Sequence, residues 1–95
     1  MARYMCTFTA TPSNRNEVLK RFTSGTGVDP PDGASVVGRF IEIGAVQGWV
    51  VVETDNPTII ADWVLGWNDI MDVTVTPVMG DEEAGRVFAK HGFGG

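Results

Sequence analysis

The sequence predicts a single α+β domain over residues 1–95, folded as a ferredoxin-like β-α-β-β-α-β plait with a four-stranded antiparallel sheet and a short C-terminal helix. Two observations predict this fold. Four short segments rich in β-branched and aromatic residues alternate with apolar stripes at helical spacing. The second and third of these segments are separated only by a loop of hairpin length. Right-handed crossovers in such a chain place both helices on one face of the sheet.

The first strand and the first helix are predicted in the N-terminal third. Residues 3–9 alternate in the manner of a strand and include β-branched and aromatic side chains. Several N-cap residues over positions 11–14 start the first helix, and Gly25 stops it. A stiff loop that contains two consecutive prolines then leads to the second strand.

The predicted hairpin consists of strands over residues 36–43 and 49–54, joined by a five-residue loop. If the loop is symmetric, Arg39 lies opposite Glu53 on the same face of the sheet. One interpretation is a cross-strand salt bridge at the rim of the sheet. The other is a guanidinium in the cavity between the sheet and a partner, where it binds a carboxylate through two parallel hydrogen bonds.

The second helix is predicted from its start and from its apolar stripe. Asn56 can cap the helix, and Pro57 suits the first turn, where its missing N–H is not needed. The stripe continues to residue 71 and contains Trp63 and Trp67, one helical turn apart. Such indoles anchor a core, and one of them can also form the wall of a ligand pocket.

The last predicted strand covers residues 73–78. Pro77 removes a backbone donor there and so indicates an edge strand or a strand end. Three acidic residues at positions 81–83 favour the start of the C-terminal helix, because carboxylates stabilise a helix N-terminus.

Both faces of the predicted sheet are apolar. Tyr4, Cys6 and Phe8 point to one side of the first strand, whereas Met5 points to the other. Phe40 likewise opposes its isoleucine neighbours in the second strand. An antiparallel sheet with one face in water is polar at every second position. We therefore expect the face without helices to be covered, either by a second copy in a homodimer or by the C-terminal helix.

Composition narrows the classes of partner. Seven Lys and Arg residues against twelve Asp and Glu give a net charge of -5, which repels nucleic acid and anionic membrane lipid. The chain has one cysteine and one histidine, so the sequence predicts no disulfide, no metal site and no cofactor. No apolar run reaches the length of a membrane helix or a signal peptide, so a cytoplasmic location is the default expectation.

Cys6 and His91 could form a nucleophile and base pair only if the C-terminal helix folded back across the sheet. We expect Cys6 instead to be a small buried apolar residue, because a reactive thiolate needs a nearby base or positive dipole.

The sequence contains the segments Arg3-Tyr4-Met5, Gly38-Arg39, Val52-Glu53-Thr54-Asp55 and Val75-Thr76-Pro77-Val78 together with Trp63 and Trp67. In these residues it resembles a family of short proteins of unknown function, some of which carry the label LysM-like. More remotely it is similar to the dimeric α/β-barrel superfamily, which includes cofactor-free monooxygenases, haem-degrading enzymes, muconolactone-isomerase-like proteins and stress-responsive proteins. The resemblance implies a fold and a pocket but no active-site residues.

Three functions remain open from the sequence. The first is a homodimeric module that binds an apolar or carboxylate-bearing small molecule beside the sheet. The second is a cofactor-free monooxygenase-like or isomerase-like enzyme, in which Arg39 stabilises negative charge and Tyr4 or Glu53 transfers a proton. The third is a structural or regulatory oligomer without a cavity. No catalytic motif is identified, and the candidate ligand-binding residues are Arg39, Glu53, Tyr4, Trp63 and Trp67.

Overall fold

The computed structural model of the chain describes residues 1–25 and 27–94. These residues form the elements β1 (Ala2–Thr9), α1 (Arg15–Thr23), β2 (Ala34–Ile41), β3 (Gln47–Thr54), α2 (Pro57–Leu65), β4 (Asp72–Val78) and α3 (Asp81–Lys90). The predicted order of strands and helices is confirmed. None of the described helices is long and apolar enough to cross a membrane.

The four strands form one antiparallel sheet in the order β2-β3-β1-β4. This is the ferredoxin-like arrangement that the sequence predicts. Cys6 of β1 lies between Val50 of β3 and Val75 of β4, so these three side chains share one face of the sheet. Pro77 lies in β4, which is an edge strand as its missing backbone donor indicates.

The core lies between α1, α2 and the face of the sheet that carries Cys6. The rings of Phe8 and Trp63 meet edge to face, with centroids 5.3 Å apart. Full burial of a side chain of the size of Phe8 contributes roughly 1.5–3 kcal/mol to the stability of the fold. Burial of the apolar stripe of α2 therefore attaches this helix to the sheet. The buried apolar residues of the cluster are Cys6, Phe8, Val50, Val52, Ile60, Trp63 and Trp67.

The start of α2 is as predicted, but its end is not. The Asn56 side chain accepts a hydrogen bond from the Thr58 backbone N–H at 3.1 Å, which confirms the N-cap. The helix ends at Leu65, whereas the apolar stripe continues through a series of turns. The backbone N–H of Ile70 donates to the carbonyl of Trp67 at 3.2 Å, so the turns keep a near-helical spacing and Trp67 stays in the core.

The face of the sheet without α1 and α2 remains largely open. Met5 is 37% exposed and Phe40 is 67% exposed, and no described residue of α3 is buried. The radius of gyration is 15.5 Å, against about 12 Å for a compact domain of this length. The alternative in which α3 covers this face within one chain is therefore wrong.

Candidate functional site

The β2–β3 hairpin places Arg39 on a different face from the predicted one. Arg39 lies opposite Val50, and Glu53 lies opposite Ser35. Val50 is buried under the helices, so Arg39 points to the helix side of the sheet and Glu53 to the open side. The predicted Arg39–Glu53 pair is therefore wrong, as is the placement of the guanidinium between the sheet and a partner.

The physical reason is the geometry of the turn. β2 ends at Ile41, and the backbone N–H of Glu42 donates to the carbonyl of Gln47 at 2.8 Å. Ala45 adopts a positive φ of 59°, which lets the loop close over residues 42–46 instead of 44–48. The pairing is displaced by three positions from the symmetric register, and an odd displacement exchanges the two faces.

Glu53 belongs to an ion pair on the open face. The Nε of Arg3 donates to Glu53 Oε1 at 2.8 Å, across the β1–β3 pair in which these residues are directly opposite. Glu53 is therefore not the anionic partner of Arg39.

Arg39 lies at a cleft between the helices and the β2–β3 end of the sheet, which we name the Arg39 cleft. The cleft is half open, and its cavity volume is about 80 Å³. Its lining is mainly apolar. The lining includes Phe8, Phe22, Val28, Arg39, Trp63 and Trp67.

The two indoles of the Arg39 cleft share one acceptor. Trp63 Nε1 and Trp67 Nε1 donate to the carbonyl of Gly27, at 3.0 Å and 2.8 Å respectively. Both side chains are buried, so the prediction that they anchor the core is confirmed. The shared carbonyl fixes both rings and ties the loop after α1 to α2.

Arg21 supports the outer side of Trp67. Its guanidinium lies 5.7 Å from the centroid of the indole ring and donates two hydrogen bonds to Asp69, at 2.9 Å and 3.1 Å. The hydrogen bond from Arg21 is the main cause that holds the pKa of the Asp69 carboxyl below its ordinary value. Trp67 is thus packed between the core and a bidentate ion pair.

The partner of Arg39 is Asp29, in the loop before β2. Arg39 Nη2 donates to Asp29 Oδ1 at 2.6 Å and to the carbonyl of Val28 at 3.1 Å. Sequence reasoning missed Asp29, because no periodic pattern relates a loop residue to a strand ten positions later. The proline-rich composition indicated only that this loop is stiff.

Tyr4 lies outside the Arg39 cleft. Its side chain lines a second groove of about 270 Å³ on the helix side, together with apolar residues of α2 and β4. Of the five predicted site residues, the structure thus brings Arg39, Trp63 and Trp67 together. It leaves Tyr4 in a separate groove and Glu53 on the opposite face of the sheet.

Cys6 is a core residue, as predicted. It is fully buried between the central strands and α2, and burial raises the pKa of its thiol to about 11. His91 lies at the C-terminal end of α3 and is exposed. Among the described residues, no group of three or more His, Cys, Asp and Glu side chains could hold a metal ion.

Residues 2–92 match the protein family described as "Domain of unknown function (DUF3303)". No curated protein matches the chain. A crystal structure from Deinococcus radiodurans, named as a candidate antibiotic biosynthesis monooxygenase, is similar with a TM-score of 0.54 at 10% sequence identity. The match covers 84% of this chain and 92% of the other. At this identity the likeness shows the fold alone, and it confirms the ferredoxin-like prediction.

Proposed function

Because the chain belongs to the DUF3303 family, whose description leaves the activity open, we propose that it binds an apolar small molecule in the Arg39 cleft. The observation that carries this proposal is the lining of the cleft. Aromatic and aliphatic side chains form its walls, and one charged group lies among them. Small-molecule sites are typically concave and apolar with a few polar groups that orient the ligand.

The rigidity of the walls supports binding. Trp63 and Trp67 are fixed by the same backbone carbonyl, and Phe8 is fixed against Trp63 in the core. A pocket whose side chains are already ordered loses little conformational entropy when a ligand enters. The cavity volume of about 80 Å³ holds only part of a small ring system, so the rest of the ligand would extend through the open side of the cleft.

A titration with naphthamide, an uncharged two-ring probe, tests this proposal. In ¹⁵N-labelled protein we expect the indole Nε1–H resonances of Trp63 and Trp67 to shift in a saturable manner. Val28→Phe fills the Arg39 cleft and should abolish the shift. Val64→Phe is the matched control, because Val64 lines the separate groove with Tyr4. Unchanged binding in Val28→Phe would contradict the proposal.

A homodimer that packs through the open face of the sheet is compatible with this binding site. Phe40 and Met5 lie on that face together with Trp49, as the register of the strands shows. An exposed apolar surface of this kind is typical of an interface between subunits. Arg39 and the two buried indoles of the cleft lie on the helix side of the sheet, whereas Phe40 and Trp49 border both the cleft and the open face.

Light scattering of the purified chain tests the homodimer. We expect a dimer for the native sequence and a monomer for Phe40→Glu. Leu65→Glu is the matched control, because Phe40 and Leu65 are each 67% exposed but Leu65 lies on α2. A native monomer, or a dimer that persists in Phe40→Glu, would contradict packing through this face.

A monooxygenase-like or isomerase-like activity has less support in the structure. The described residues that line the Arg39 cleft include no Asp, Glu, His, Tyr or Cys side chain to act as a general base. Tyr4 and Glu53, the proton-transfer candidates, lie elsewhere. Turnover of an aromatic substrate that is lost in Arg39→Ala but retained in Arg86→Ala, a control on α3, would favour the enzyme over the binding module.

A further inference from the structure

We propose that the ligand carries a carboxylate that binds Arg39, and that Asp29 sets the selectivity of the site by competing for the same guanidinium. This inference rests on the proposed function and deepens it, because it names the class of ligand as small aromatic or aliphatic monocarboxylates. Asp29 becomes a specificity-determining residue that no sequence pattern indicates.

The first step is the way in which Arg39 is held. The carbonyl of Val28 accepts from Nη2 at 3.1 Å, and Asp29 Oδ1 accepts from the same nitrogen at 2.6 Å. The carbonyl belongs to the backbone of a loop whose next two residues after Asp29 are prolines. Release of Asp29 would therefore leave the guanidinium anchored at the cleft through Val28.

The second step is the unequal exposure of the two partners. The Arg39 side chain is 27% exposed, whereas the Asp29 side chain is 75% exposed. An exposed carboxylate in an ion pair regains most of its hydration when it leaves, so the pair is weak. The carboxylate of Asp29 thus occupies a position that another carboxylate can take at little cost.

The third step is the donor capacity that remains on Arg39. Guanidinium presents five N–H donors in a planar fork that matches a carboxylate. In the described part of the chain, both acceptors of Arg39 contact Nη2, so Nε and Nη1 are open to solvent. A ligand carboxylate can therefore form two parallel hydrogen bonds, whereas Asp29 forms one.

The fourth step is the charge around the site. The net charge of -5 disfavours anions near the molecule in general, but Arg39 is the one charged residue among the described lining of the cleft. An anionic headgroup is therefore favoured only at this point, and the apolar part of the ligand extends toward Trp63 and Trp67. Asp29 reduces the attraction and restricts the site to ligands that displace it.

Calorimetric titration with naphthoate and with naphthamide, its uncharged amide, tests the inference. In Asp29→Asn, which keeps the size of the side chain and removes its charge, we expect naphthoate to bind about two- to fivefold more tightly, the range expected for loss of an exposed competing ion pair. Binding of naphthamide should stay within about twofold. Asp32→Asn is the matched control, because Asp32 is an exposed acid of the same loop with no hydrogen bond or ion pair to the rest of the described chain.

Arg39→Gln supplies the converse measurement. We expect it to weaken binding of naphthoate at least about fivefold and to leave naphthamide nearly unchanged, since only the charge-assisted contact is lost. Equal binding of the two probes, unaffected by Asp29→Asn, would overturn the inference and leave the proposed function intact. If Asp29→Asn and Asp32→Asn raised the affinity for naphthoate equally, the inference would also be overturned. The loss of one negative charge anywhere in the loop would then explain the tighter binding. If neither probe binds, both proposals fall.

Discussion

The shared carbonyl of Gly27 makes a quantitative prediction about the two indoles. Trp63→Phe and Trp67→Phe each remove one N–H donor but leave the carbonyl with the other. The double variant leaves it with neither. A net hydrogen bond contributes about 0.5–1.5 kcal/mol, whereas a partly buried acceptor without a partner costs about 1–3 kcal/mol.

The two substitutions should therefore destabilise the fold by more than the sum of their single effects. Because Gly27 is itself exposed and water can reach part of its carbonyl, we expect a coupling near the lower limit, about 1 kcal/mol. The loss of ring volume in each Trp→Phe change occurs in both single variants and largely cancels in the double-mutant cycle.

Urea unfolding followed by far-ultraviolet circular dichroism measures the coupling, since this signal does not depend on the tryptophans. Trp49→Phe combined with Trp63→Phe is the matched control, because Trp49 alternates to the open face and does not contact Gly27 through its indole N–H. That pair should be additive within about 0.5 kcal/mol. Additivity of Trp63→Phe and Trp67→Phe within the same limit would refute the shared-acceptor argument.

Three further predictions concern other parts of the chain. Cys6 is fully buried, and burial raises the pKa of its thiol to about 11. At pH 8, about three units below that pKa, iodoacetamide should therefore label Cys6 only after the protein is unfolded in urea. Labelling of the native protein would contradict the burial of Cys6. Gly33→Ala should lower the free energy of unfolding in urea by about 1 kcal/mol more than Gly25→Ala does. Both glycines have a positive φ, but only at Gly33 does the new Cβ meet another side chain, Ile59 Cδ1 at 2.6 Å. Equal losses of stability would show that Ile59 moves freely. The lowered pKa of Asp69 means that its pair with Arg21 stabilises the fold above the ordinary carboxyl pKa of about 3.9 and is lost as pH falls through the lower native value. The difference in urea midpoint between the native chain and Asp69→Asn should therefore shrink as pH falls below about 4, and a constant difference would contradict the assignment.

The sequence was sufficient for the features that depend on local chemistry. The Asn56 cap and the edge position of Pro77 follow from donors and acceptors within a few residues, and both are confirmed. The alternation of Tyr4, Cys6 and Phe8 also placed β1 correctly, because a buried face specifies register strongly.

The sequence was insufficient where one backbone choice reverses a whole strand. The positive φ of Ala45 is adopted by a residue with no special preference for it, so the loop that closes the hairpin was misplaced. The acceptor of Trp63 and Trp67 is a backbone carbonyl, and every residue has one, so no residue type could indicate Gly27. Asp29 was missed for a related reason, since its contact with Arg39 depends on where the loop lies.

The irregularity at Val37 explains how Val36 and Arg39 of one strand point to the same face of the sheet. In a regular strand, residues 36 and 39 point to opposite faces because they are an odd number of positions apart. Here Val36 lies opposite Val52 and Arg39 lies opposite Val50, and both of these partners are buried on the helix side. The extra residue between Val36 and Gly38 therefore corrects the alternation and turns Arg39 inward. Without it, Arg39 would point to the open face whenever Val36 points to the helix side.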